Sequence, residues 1–325
     1  NGLRFLRHYQ LKAIQKLQQA VASKKDRFLF EMATGTGKTL TAAGVIRLFL
    51  RTQNARRVLF LVDRLELEDQ AWKAFTNYLK PDYTTFIYKE HKSDWRKADI
   101  VVTTIQSLMF DNKYRYEFKP TDFDLLISDE SHRSISGNAR AVFEYFHGYK
   151  LGLTATPKDY LKSVDIDKVK ENDPREIERR LLRDTYATFG CEGGDPTFRY
   201  SLLDGVKDGF LINPRVLDAR TEITTQLLSD EGYSVAITTE EGEETETFVS
   251  RDFEKKFFSE KTNRVFCKTF LENALRDPIT KEIGKTIIFA VSQNHARKIT
   301  EILNEFAEQL YPNKYNSDFA VQVTS

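Results

Sequence analysis

Lys38 and Thr39 stand directly behind a run of small residues, Thr34-Gly35-Thr36-Gly37, in the stretch "LFEMATGTGKTL". Small residues let backbone N–H groups converge on an anion, where bulkier side chains would block the approach. A helix beginning at Gly37 adds its unsatisfied donors and the positive end of its dipole. Lys38 then brings a cation to the β/γ-phosphates of a nucleotide, and the Thr39 hydroxyl a ligand for Mg2+. The pattern G-x-x-x-x-G-K-[ST] is met except at its first glycine, where Met32 stands. An ordinary glycine-rich turn is the bland alternative, and the apolar segments on both sides argue against it.

A second group follows in "FDLLISDESHRS", where an apolar run delivers Asp129 and Glu130. Ligands of open α/β sheets bind at the carboxyl ends of strands. Asp129 is placed to hold magnesium, and Glu130 to orient and activate an attacking water; hydrolysis needs both roles. A solvated acidic pair capping a strand is the alternative. His132 is either a structural histidine or a link to a second domain. A third group, "LGLTATP", ends a buried run in Thr154 and Thr156, two hydroxyls suited to sensing a γ-phosphate. Alone, it could be a plain strand end before a proline turn.

These residues need strands that stop and helices that start beside them. Short apolar runs at 28–30, 58–62, 100–102, 125–127 and 151–153 are separated mostly by patterns of helical length, and an apolar stripe over 5–21 predicts a helix ahead of them. Continuous rather than alternating apolarity predicts strands buried on both faces, hence an α/β fold around a parallel sheet. Beyond 158 the chain turns charged, and Asp173-Pro174 looks like a helix start. Strand-like runs resume at 215–219, and "YSVAITTEEGEETETFV" suggests a hairpin. Helices over about 252–275 and 293–310, with strands at 286–291 and from Phe319, restart the α/β pattern. Two domains are expected: 1–212 for nucleotide binding, with a charged insertion over about 158–200, and 213–325 as the start of a second.

At 325 residues the chain is longer than one compact core usually serves. With 49 basic against 48 acidic residues, a uniformly basic nucleic-acid coat is excluded, and any polyanion must meet a local patch. Two cysteines without metal-ligand spacing fit a reducing cytoplasm. No apolar run approaches a membrane span, and the first residues read as the approach to a helix rather than a signal peptide.

In order, "MATGTGKT", "DESH", "TAT" and "TIIFAVSQNHA" resemble motifs I to IV of superfamily 2 helicases and translocases. "RHYQLKAI", "RVLFLVDRLELEDQ", "DIVVTTIQSL" and "FRYSLLDGVKDGFLINPRV" resemble more closely the motor region of the R (HsdR) subunit of type I restriction enzymes. The resemblance implies two RecA-like domains with parallel sheets, the second incomplete here, with ATP and Mg2+ as cofactors. It implies translocation on double-stranded DNA, alongside modification and specificity subunits. Gln10 resembles the glutamine that reads the adenine edge, an amide able to donate and accept together, and the resemblance implies that Arg7 supports the base beside it. A solvent-facing glutamine is the alternative. Arg64, Thr103, Thr104 and Gln106 fall where the family touches the nucleic-acid backbone; either threonine could instead start a helix.

Three departures stand out. Ser131 replaces the commoner alanine of motif II, leaving both carboxylates in place. The family's nuclease cluster has only a lookalike at Asp252-Phe253-Glu254-Lys255, on a helical pattern, which reads as a solvated face. Motifs V and VI, with the arginine finger, are missing from the chain. Two alternatives stay open: another superfamily 2 helicase or remodeller acting on RNA or branched duplex, and a nucleotide-gated binding switch without motor action.

Overall fold

The apolar runs become the strands of one parallel sheet in a computed structural model, which describes residues 6–131, 138–159, 184–214 and 260–323. The chain divides into two compact units, 1–214 and 215–325. In the first unit, α1 (His8–Ala22) leads into β1 (Arg27–Met32), and α2 (Lys38–Arg51) into β2 (Val58–Val62). Next come α3 (Leu65–Leu79), β3 (Thr85–Ile87), β4 (Ile100–Thr104), α4 (Ile105–Met109) and α5 (Lys113–Glu117). The sheet continues with β5 (Leu125–Asp129), β6 (Tyr149–Thr154) and β7 (Phe198–Tyr200). Seven strands lie in the order β3-β4-β2-β5-β6-β1-β7, and every pairing is parallel.

Parallel strands stop at a common edge, and that edge gathers the chemistry. Asp129 lies beside Leu153, and Thr154 beside Glu31, three residues before Thr34. Residues of β2, β4 and β5 are buried on both faces, as their unbroken apolarity requires. One apolar layer packs α1, α2 and α3 against the sheet, and a second covers the opposite face around Trp95, Phe123, Phe143 and Phe189. Gly152 in β6 has no room for a side chain, because the Phe189 ring would lie 2.5 Å from its Cβ.

In the second unit, the helices Glu260–Asn273 and Gln293–Leu310 pack through Cys267, Leu271, Ile299, Ile302 and Leu303. The strand expected at 286–291 does not form, nor does one from Phe319. Ile288 and Ala290 pack on the helices, while Ile287, Phe289 and Val291 point outward and are 80%, 91% and 77% exposed. The period-2 pattern is therefore present, but a strand also needs backbone partners, and among the described residues none pairs with this segment. The expected helix start at Asp173-Pro174, the run at 215–219 and the hairpin lie outside the described residues, as does His132. Among the described residues no helix is long and apolar enough to cross a membrane.

Candidate nucleotide site and nucleic-acid edge

Between β1 and α2 the chain must turn sharply, and two glycines make this possible. Gly35 has φ +82° and Gly37 φ +78°, the left-handed region that side chains disfavour. Gly37 is also the N-cap of α2, and no side chain caps that helix. Its first-turn N–H groups are thus left for an anion. Met32, where the pattern wants a glycine, is the fully buried last residue of β1, so the turn itself begins after it.

The loop is held from behind. Gln10 is almost fully buried, and its Nε2 donates to the carbonyls of Thr36 at 3.1 Å and Gly37 at 3.2 Å. Its Oε1 accepts from the Arg7 N–H at 2.9 Å. The solvent-facing alternative for Gln10 is thereby excluded; the amide here braces the phosphate loop and must exchange those bonds to read a base. Arg7 is exposed, with its guanidinium 4.6 Å from the centre of the Phe210 ring.

The pattern-based reading missed three supports of this loop. Tyr9 donates its hydroxyl to the Thr36 carbonyl at 2.7 Å and stacks on Tyr200 at 3.9 Å. Tyr200 continues the sheet, and its carbonyl accepts from the Ala33 N–H. Leu211 would lie 3.2 Å from a Cβ on Gly35. Tyr9 was visible only as one member of the apolar stripe of α1, and Tyr200 and Leu211 carry no local signal because their role is long-range.

Lys38 Nζ lies 3.7 Å from Glu130 Oε1. Glu130 follows the end of β5 with φ +48°, a conformation rare outside glycine, and its N–H donates to Asp129 Oδ1 at 3.0 Å. Burial, and then the adjacent Glu130 carboxylate, push the Asp129 carboxyl up to about 6, against the pull of Lys38 and of that N–H. Two acids thus share one lysine, a donor set short of positive charge that fits a divalent cation beside a phosphate. Among the described residues no three His, Cys, Asp or Glu side chains gather as a metal site. Magnesium suits such sparse protein ligation, since it takes most of its oxygens from phosphate and water. Thr39 sits in the first turn of α2, within the element Lys38–Arg51.

Thr154 is fully buried, and its Oγ1 accepts from the Thr156 N–H at 3.1 Å. Thr156 and Glu130 share a cavity of about 530 Å³ with Thr34, Asp63 and Arg64. Of the residues expected at nucleic acid, Arg64 and Gln106 are exposed and meet at Asp63: Arg64 Nε is 3.9 Å from Oδ2, and Gln106 Nε2 donates to Oδ1 at 3.3 Å. Thr103 and Thr104 are buried. The Thr104 hydroxyl caps α4 by accepting from the Ser107 N–H, so the helix-start alternative describes it. Neither threonine hydroxyl faces solvent, and at this turn Gln106 alone of the three presents an exposed side chain.

Residues 5–159 match the family model "Type III restriction enzyme, res subunit". The chain is 29% identical to the type I restriction enzyme EcoAI endonuclease subunit of Escherichia coli, over 98% of this chain and 36% of that protein. It is 28% identical to the EcoKI subunit of E. coli strain K12, over 98% of this chain and 27% of that protein. It therefore spans about a third of the length of these curated relatives. Among solved structures, a fragment of an HsdR subunit from Vibrio vulnificus YJ016 is similar with TM-score 0.59 and 27% identity, over 95% of this chain and 47% of that one. The likenesses agree with the parallel sheet, the phosphate loop and the acidic pair: over nearly its whole length the chain is similar to part of the R (HsdR) subunits of type I restriction enzymes, in a helicase-like region.

Proposed function

We propose that this chain is the motor part of a type I restriction enzyme R subunit, an ATP-dependent translocase on double-stranded DNA that works in the cytoplasm with modification and specificity subunits. The observation that carries the chemistry is the convergence of Lys38 on Glu130, at 3.7 Å, beside Asp129 and an uncapped helix start. In this reading residues 1–212 bind the nucleotide and 213–325 begin a second domain of the same kind. Gly35, Gly37 and the first N–H groups of α2 hold the phosphates, with Lys38 across them. Thr39 and Asp129 would hold Mg2+, which when bound neutralises phosphate charge. Glu130 orients the attacking water and takes its proton. Thr154 and Thr156 sense the γ-phosphate, and His132 relays its state; Arg64 and Gln106 grip the DNA backbone.

Two acids with a lysine argue for turnover over a pure switch, because a binding module needs no general base. The test is ATP hydrolysis with and without duplex DNA, single strands and RNA. Glu130→Gln is expected to bind Mg-ATP with little change while hydrolysis falls by about 10² or more. Hydrolysis at the wild-type rate would remove Glu130 from this role. Stimulation by RNA alone would favour a remodeller.

A further inference from the structure

Glu68 is a carboxylate with no part in the nucleotide chemistry, yet it is fully buried in the first turns of α3. A carboxylate is costly to bury unless partners offset it, and an apolar side chain ordinarily serves such a position better. Both of its oxygens are engaged. Oε1 accepts the Thr104 N–H at 3.0 Å. Lys89 Nζ lies 2.8 Å from Oε2, an ion pair at hydrogen-bond distance. Lys89 is held more basic than usual, chiefly by this contact.

The charge joins three places that apolar packing would leave independent. One is α3 itself, which begins directly after Arg64. The second is Thr104, the N-cap of α4, two residues before Gln106. The third is Lys89, just past the end of β3, where the Tyr88 N–H still bonds the Val102 carbonyl. In the order β3-β4-β2 these are the carboxyl ends of three adjacent parallel strands. At about 4.8 Å per strand the edge spans roughly 10 Å, the rise of about three nucleotides along one DNA strand. An ammonium has three donors; with one turned to Glu68, the 40% exposed Lys89 side chain keeps the others for an outer acceptor.

We propose that Glu68 is a positioning residue: it locks the start of α4 and Lys89 to α3, so that Arg64, Gln106 and Lys89 form one edge for the phosphates of a nucleic-acid strand. Lys89 thereby joins the contact set. The inference rests on the DNA reading given above.

The test uses the chain of residues 1–325, with duplex binding followed by fluorescence anisotropy over a range of salt and Mg-ATP binding followed with a fluorescent analogue. Glu68→Gln keeps the shape and an acceptor for the Thr104 N–H but removes the charge that holds Lys89. It is expected to weaken duplex binding about tenfold and to flatten the salt slope by about one contact's share, with Mg-ATP affinity within about twofold of wild type. Lys89→Met should weaken binding similarly, and the double variant should be no weaker than either single change, because the two act as one unit. Wild-type duplex affinity in Glu68→Gln would overturn the inference and leave the DNA reading standing. Parallel loss of duplex and Mg-ATP binding would overturn it too, by showing a general core role. Absence of duplex binding by the wild-type chain itself would instead defeat the DNA reading, and the inference with it.

Discussion

Asp129 stands where burial and a neighbouring carboxylate disfavour its charge, and that makes it testable without any ligand. Its carboxyl is raised from 3.8 to about 6 by burial and by Glu130. A folded-state value above the unfolded one means the folded protein holds this proton more tightly. Folding is therefore helped at low pH, and that help is lost as pH rises through about 6. Asp129→Asn keeps an acceptor for the Glu130 N–H and removes the repelled charge. Without metal or nucleotide it should gain stability on the order of 2 kcal/mol at pH 8, and close to nothing at pH 4, where the native carboxyl is already protonated. Urea unfolding at both pH values measures this. An equal gain at the two values would mean that the carboxyl is not raised. The same change should abolish hydrolysis, since stability here is exchanged for function.

At the scale of elements, the turn from β1 into α2 carries the strictest demand. A Cβ on Gly37 would sit in a left-handed conformation and 2.8 Å from the Gln10 Nε2 that braces the loop. Gly37→Ala is expected to cost about 1–2 kcal/mol of stability and to weaken nucleotide binding by at least about tenfold, because the displaced amide releases the Thr36 and Gly37 carbonyls. Calorimetry and a nucleotide titration check the two effects; unchanged affinity would mean the brace is dispensable. This turn and the five long strands were legible in the sequence, because small residues and unbroken apolar runs are local signals. β3 and β7 were not, since three residues each are too few to carry a pattern. The segment at 286–291 shows the opposite case: the strand pattern is local, but strand formation depends on a neighbour that the pattern does not encode. In the site, Lys38, Asp129 and Glu130 were readable by type and spacing. The Gln10 brace and the Tyr9–Tyr200 stack join residues from distant parts of the chain, and only the fold brings them together.

At the scale of the whole molecule, a formal net charge of +1 leaves almost no long-range field to draw in DNA. In the proposed role on DNA, affinity then comes from a few short-range phosphate contacts, which fixes how it responds to salt. Each neutralised phosphate releases counterions and contributes about −0.9 to the slope of log K against log salt. The exposed contacts proposed in the first unit, Arg64, Gln106 and Lys89, include two full cations; a strongly basic protein would show a much steeper dependence. Arg64→Ala should therefore weaken binding to duplexes of unrelated sequence by similar factors and reduce the slope by about one, leaving Mg-ATP affinity in place. Anisotropy titrations with several duplexes across a range of salt give both quantities. A loss confined to some sequences would mean that Arg64 reads base edges, because a phosphate contact is blind to sequence. An unchanged slope would place the DNA away from the carboxyl edge of β2, since a lost phosphate contact has to appear in the counterion count.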